Sequence, residues 1–343
     1  MRAVVAHGAK DLRIESVDVP ELGAHDIKVR IAVGGICGSD LHYYHHGGFG
    51  VVRLREPMAL GHEIAGVVED VGAGAVRIKP GDRVAICPSH PCNACKFCLE
   101  GRQNQCLDMR FYGSAMRFPH VQGAFREVLV CDEVQAHVVA DGVSLGEAAM
   151  AEPLAVCLHG ARRAGSLLGK SVLVTGSGPI GALGVIAARR AGAAQIVVTD
   201  VADSALGFAK KVGADQTINI GANSRALEPF AADKGFFDVM FEASGNEAAL
   251  RGGLDVMRPG GIIVQLGLGG EMQLPMNVLV AKELELRGTF RFQEEFGLAV
   301  MLIGKGLVNV KPLISAILPF TEATAAFELA TDRSQSMKVQ LSF

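Results

Sequence analysis

Cys92, Cys95, Cys98 and Cys106 form a C-x2-C-x2-C-x7-C run within 15 residues. No other feature of this chain constrains its fold as tightly. Four thiolates so close can complete a tetrahedral shell around one Zn²⁺ and leave no coordination position open. A closed site of this kind clamps a lobe and performs no chemistry, so the functional site must lie elsewhere. Disulfides would need an oxidising compartment. The segment Met1 to Arg13 carries Arg2, Lys10 and Asp11 and lacks an apolar stretch, so it does not read as a signal peptide. The expected location is the cytoplasm. Cysteines this close along a relaxed chain are also poorly placed to bridge one another.

A zinc ribbon for nucleic acid would sit in basic surroundings, but 33 Lys+Arg face 36 Asp+Glu, for a net charge of −3. Charge therefore argues against nucleic-acid or lipid partners. The longest apolar stretch, Val172 to Ala188, is broken by Gly176, Gly178, Pro179, Gly181 and Gly184, and it reads as strand, turn and helix rather than a membrane span.

At 343 residues the chain is long enough for two domains. Residues 1–150 read as a β-rich domain of short strands with Gly/Pro turns, including Ile27–Ile31, Glu63–Val68 and Arg83–Ile86, with the zinc lobe at about 87–110. Residues 151–288 alternate strand and helix. Candidate strands are Val172–Thr175, Gln195–Thr199, Thr217–Ile220, Asp238–Glu242, Ile262–Leu266 and Leu284–Arg287; Ala182–Ala191 and Ser204–Val212 are candidate crossover helices. Short aliphatic strands alternating with helices define an α/β, doubly wound parallel sheet of the Rossmann type. Residues 289–343 drop that alternation and are expected to return to the first domain.

Gly176-Ser177-Gly178-Pro179-Ile180-Gly181 is a G-x-G-x-x-G turn between an apolar strand and a helix, the context in which such glycines let the backbone approach a pyrophosphate. Asp200 closes the next strand, 19 residues after Gly181, where a carboxylate accepts the ribose hydroxyls of NAD. A 2′-phosphate there would meet like charge, so NAD is expected over NADP.

Candidate catalytic residues precede the lobe. Cys87, Cys131 and Cys157 read as small buried hydrophobes. Cys37 differs, because Ser39, Asp40 and His42 follow it closely. His62-Glu63 offers one nitrogen and one oxygen ligand, and Glu152 a further carboxylate. Cys, His and one carboxylate plus water make an open, catalytic type of zinc site. Asp40 is a candidate to orient His62. Glu63 reads either as ligand or as a group behind His62, with Glu152 as the alternative.

In these residues the chain resembles the zinc-dependent medium-chain alcohol/polyol dehydrogenases over essentially its whole length. Gly61-His62-Glu63, the four-cysteine lobe and Gly176–Gly181 stand in that family's order, and residues 35–44, 108–116 and 288–292 are similar to its polyol and sugar-acid branches. The resemblance implies a GroES-like catalytic domain, a Rossmann domain, an active cleft between them, and a homodimer or homotetramer. It places catalytic zinc on Cys37, His62 and Glu63 or Glu152, and a proton relay at Ser39 and His42. It also places Tyr43 and Arg291 along the substrate cleft, and Pro179, Ile180, Leu266, Leu268 and Thr289 against the dinucleotide.

The reaction so implied is hydride transfer from a secondary hydroxyl to nicotinamide, in carbohydrate metabolism. The expected substrate is the C5 hydroxyl of L-idonate or a close aldonate; neutral polyols such as sorbitol or xylitol, and L-threonine, are alternatives. An acid needs a cation in the cleft, for which Arg291, Arg110 and Arg117 are candidates. Two positions depart from the family. Ala205 stands where many NAD-using relatives carry Arg, and Phe292 replaces a Tyr, removing one hydroxyl from the sugar pocket. A different class, an NAD(H)-binding sensor without turnover, would need neither the open zinc site nor the relay.

Overall fold

The computed structural model describes all residues, Met1–Phe343. Its first sheet is organised by Asp26–Gly35 (β1), whose residues Ile27, Val29, Ile31 and Val33 alternate into the core. Glu63–Val71 (β2) runs antiparallel to β1 from Ile27 opposite Val71 to Gly35 opposite Glu63. Arg83–Ile86 (β3) pairs with β2, Val128–Asp132 (β4) with the other edge of β1, and Ala136–Val138 (β5) with β3. Between β1 and β2 the chain forms the helix Gly38–His46 (α1), which ends where Gly47 takes a left-handed conformation at φ 64°. This helix had no counterpart among the expected short strands, because its moment is weak: Asp40, Tyr43 and Tyr44 bury while His42 and His46 face out.

Ala151–Ala164 (α2) leads into a second sheet of six parallel strands: Ser171–Thr175 (β6), Gln195–Asp200 (β7), Gln216–Asn219 (β8), Phe237–Glu242 (β9), Met257–Gln265 (β10) and Glu285–Gly288 (β11). Their order is β8-β7-β6-β9-β10-β11, the doubly wound arrangement. Pro179–Arg190 (α3) starts three residues before the expected Ala182, because Gly178 serves as an extended N-cap and Pro179 fits the first helical position. Asp203–Lys211 (α4) and Glu247–Val256 (α5) are further crossovers. β10 starts five residues earlier than the expected Ile262, with a register shift between Phe237 and Val239 of its partner.

Glu295–Gly304 (α6) packs on α2, and the chain then supplies Ile314–Pro319 (β12) and Lys338–Ser342 (β13) to the first sheet. β13 pairs antiparallel with the end of β1, placing Gln340 opposite Gly35. A shared apolar cluster joins Ala65, Ala85 and Phe111 of the first unit to Val172 and Val174 of the second through Leu154, Cys157 and Leu158 of α2. The seam along α2 is therefore rigidly packed, and it carries Glu152. No helix is long and apolar enough to cross a membrane.

Candidate active site

Cys37 lies two residues past the end of β1 and forms the N-cap of α1, with φ −91° and ψ 159°. Asp40, one turn on, accepts from the Cys37 N–H at 2.9 Å and from the Gly61 N–H at 3.1 Å. One fully buried carboxylate thus ties the Cys37 loop to the start of β2, and the same group faces His62 Nδ1 at 3.9 Å. Nε2 is left as the ligand atom of His62. Burial pushes the Asp40 carboxyl up, and His62 opposes that shift.

Ligand atoms of Cys37, His62 and Glu63 lie within 4.8 Å of one another, as expected for a shared metal. Glu152, the second residue of α2, lies outside that group. Glu63 is also fully engaged elsewhere: both carboxylate oxygens accept from Lys338 Nζ at 2.8 Å, and Nζ donates to Ile36 O at 3.1 Å. Gly35 makes this possible, because a Cβ there would stand 2.1 Å from Glu63 Oε2. Burial pushes the Cys37 thiol up to about 11, with Glu63 adding to it, and burial carries Glu152 up to about 8. A buried imidazole, a thiol and a carboxylate whose ligand atoms converge suit Zn²⁺, whose charge would favour the thiolate.

In the lobe, Cys92, Cys95, Cys98 and Cys106 converge within 4.8 Å. The Sγ–Sγ separations of Cys92–Cys106 and Cys95–Cys98 are 3.4 and 3.6 Å. Zn–S bonds of about 2.3 Å in a tetrahedron place sulfurs about 3.8 Å apart, so the set fits one zinc. Backbone N–H groups of Leu107 and Cys98 hold the Cys95 thiol down to about 6, while burial pushes Cys98 up to about 12.

The glycine turn is equally constrained. Gly176 has φ 86°, and a Cβ there would meet the Ser244 backbone at 2.8 Å; at Gly181 a Cβ would meet Gly176 O at 1.9 Å. Gly178 faces open space, the approach a pyrophosphate requires. Pro179 and Ile180 open α3 beside it. Asp200 accepts from Ser177 N–H at 2.6 Å and from Val201 and Ala202 N–H at 2.7 and 2.9 Å, which fixes its carboxylate at the lip of the turn. Ala205 is buried and presents no cation. Past β10, Leu266 packs near Gly160, Leu268 is exposed, and the buried Thr289 hydroxyl has no partner. That orphaned hydroxyl fits a polar cofactor atom.

Residues 23–141 match the alcohol dehydrogenase GroES-like domain family, and residues 179–305 match the zinc-binding dehydrogenase family. The chain is 45% identical to the L-idonate 5-dehydrogenase (NAD(P)(+)) of Escherichia coli K12, covering 92% of this chain and 91% of that one. It is 38% identical to chicken (Gallus gallus) sorbitol dehydrogenase over 99% of this chain and 95% of that one. The crystal structure of the E. coli L-idonate 5-dehydrogenase superposes with a TM-score of 0.94 at 42% identity, covering 100% of this chain and 98% of that one. The chain belongs to the zinc-binding medium-chain dehydrogenases.

In this dehydrogenase Ser39 is half-buried in the first turn of α1 and His42 lies exposed on it. Burial, with His46 adding, lowers the His42 imidazole, so it is neutral near pH 7. Tyr43 is fully buried, and its hydroxyl accepts from the Ala115 N–H at 2.9 Å. Arg291 is half-buried, with its guanidinium 4.1 Å over the Phe111 ring, and that ring lies 5.4 Å from the His62 imidazole. Arg291 forms no ion pair, and its one side-chain hydrogen-bond partner is Met116 Sδ at 3.4 Å. Burial pulls the guanidinium down to about 10, against the pull of Glu152 and Tyr43.

The other two candidate arginines are placed differently. Arg117 pairs with Asp108, and both Arg110 and Arg117 line a separate cavity with His120 and Arg126, lined by none of the zinc-ligand candidates. On the short strand Arg110–Phe111 of the lobe, side chains alternate: Phe111 turns inward and Arg110 outward. Sequence reasoning missed Lys338. Its signal was the polar pair Lys338 and Gln340 on one face of an apolar strand, which reads as a solvent face but is buried here.

Proposed function

We propose that this dehydrogenase oxidises the C5 hydroxyl of L-idonate or a close aldonate, reversibly, giving 5-keto-D-gluconate, with NAD as the preferred acceptor. One zinc would be held by Cys37, His62 and Glu63 or Glu152, and a second by the four lobe cysteines; the working form is a homodimer or homotetramer. When bound, the metal supplies Lewis acidity to the substrate hydroxyl and the nicotinamide accepts hydride.

The chain's own residues would do the rest. Asp40 orients His62. Lys338 balances the negative charge of Glu63. Ser39 and the neutral His42 form a path for the hydroxyl proton to solvent. Asp200 opposes a 2′-phosphate by like charge.

The observation that carries the acid-specific reading is Arg291, a desolvated cation without a carboxylate, stacked on the ring next to His62. A half-buried cation without a partner leaves part of its desolvation cost uncompensated, so a carboxylate is welcomed where a neutral polyol is not. The similarity to an L-idonate 5-dehydrogenase supports the same substrate class. A substrate panel tests it. L-idonate is expected to exceed sorbitol and xylitol in kcat/KM by at least about tenfold, and Arg291→Leu to remove most of that ratio. Equal efficiency on sorbitol would replace this reading with the neutral-polyol one.

A further inference from the structure

Arg291 sits in a left-handed backbone conformation, φ 53°, which a non-glycine residue adopts only when its surroundings impose it. The imposing contacts come from the cysteine lobe. Asn104 lies in the short turn Gln103–Gln105, immediately ahead of Cys106, and is 7% exposed. Its Nδ2 donates to Phe290 O at 2.9 Å and its Oδ1 accepts from Gln293 Nε2 at 2.8 Å. One buried amide therefore grips the chain on both sides of Arg291. At the far end, the Gln293 N–H donates to Glu295 Oε2 at 2.8 Å, and Glu295 Oε1 meets His159 Nδ1 of α2 at 3.0 Å.

We propose that Asn104 is a positioning residue for Arg291, so that the cysteine lobe, which touches no reacting atom, sets selectivity for an anionic substrate. This rests on the aldonate reading above. The four thiolates converge within the same lobe and fix the turn that carries Asn104. The amide of Asn104 fixes the 290–293 segment, and that segment places the guanidinium over Phe111 beside His62. The metal-clamped lobe thereby acquires a role in recognition besides stability.

The test uses the full-length, zinc-loaded enzyme with NAD and two substrates, L-idonate and sorbitol. Asn104→Leu keeps the side-chain volume and removes both hydrogen bonds. The expected result is a rise of about tenfold in KM for L-idonate, because the binding cation loses its fixed place, with kcat held within roughly twofold. Sorbitol kcat/KM is expected to stay within roughly twofold, since that substrate does not use the cation. Calorimetric titration of L-idonate into the NADH complex is expected to show the same loss of affinity, with lobe zinc retained by mass spectrometry.

Gln293→Leu removes one of the two bonds, and it gives a smaller shift in the same direction; it also serves if Asn104→Leu does not fold. The inference is overturned if both variants leave the L-idonate to sorbitol ratio unchanged, or if KM rises equally for both substrates. Arg291→Leu separates the two levels. If it collapses the ratio while the Asn104 and Gln293 variants do not, only the positioning role fails. If it leaves the ratio unchanged, the aldonate reading fails as well.

Discussion

Replacing Lys338 by Met keeps an unbranched apolar stem and deletes the charge that faces Glu63. Both oxygens of Glu63 accept from Lys338 at 2.8 Å, and the two side chains are 3% and 1% exposed. Burial by itself works to lower the Lys338 ammonium, but Glu63, Cys37 and Glu152 outweigh it and leave the group raised, so it is charged in the folded protein. Removing one partner strands the other in a site water cannot reach. Breaking a buried pair from one side costs about 3–5 kcal/mol. In a folding unit of roughly 150–250 residues each kcal/mol moves Tm by about 2–4 °C, so the metal-free protein is expected to melt roughly 6–20 °C lower.

Zinc changes that expectation in a defined direction. A dication beside Glu63 supplies part of the lost positive charge, so the zinc-loaded variant is expected to lose less than the chelated one. The double variant Lys338→Met/Glu63→Gln removes the stranded charge and is expected to recover most of the loss. The assay is thermal unfolding of the four members of this double-mutant cycle, each chelated and zinc-loaded. A chelated Lys338→Met protein melting within about 2 °C of wild type would refute the reasoning. A double variant as unstable as the single one would do the same.

Three further outcomes are expected. Burial raises the Glu152 carboxyl from its ordinary 4.5 to about 8 in the folded metal-free protein, so its contribution is fully present below pH 4.5 and is lost as pH climbs through 8. Chelated wild type is therefore expected to lose stability relative to Glu152→Gln across that window, and parallel Tm profiles from pH 4.5 to 8 would contradict it. Asp200→Ser removes the charge that opposes a 2′-phosphate, so NADP use relative to NAD is expected to rise about tenfold or more, read as the ratio of kcat/KM values. Mild chelation is expected to abolish activity after about one zinc per chain is lost, with the fold retained, because the all-thiolate lobe holds its metal longer than an open site; metal analysis alongside circular dichroism checks this.

What could be read along the chain were the arrangements that short stretches of backbone can satisfy alone. Cysteines two residues apart meet around one ion wherever the lobe sits. Glycines at 176, 178 and 181 make one kind of turn, and a strand leads to Asp200 beside it. The central parallel strands could be placed for the same reason, since aliphatic runs of four or five residues have little choice but burial on both faces. Cys37 and His62 were recognisable by residue type, but their closeness required α1 and the Asp40 bridge to Gly61.

Tertiary structure alone decided which charged groups meet. Glu63 finds Lys338 across 275 positions, because β13 returns to lie beside β1. Arg291 reaches Phe111 only because Asn104, 186 residues before Phe290, grips its loop. Arg110 and Arg117, equally plausible as cations from the sequence, lie elsewhere: Phe111 takes the inward side of the strand and leaves Arg110 outside, and Asp108 holds Arg117. Local periodicity determines backbone and motif, for both depend on neighbours within a turn or two. The partner of a buried charge is instead chosen by how distant elements pack, and no short-range rule encodes that choice.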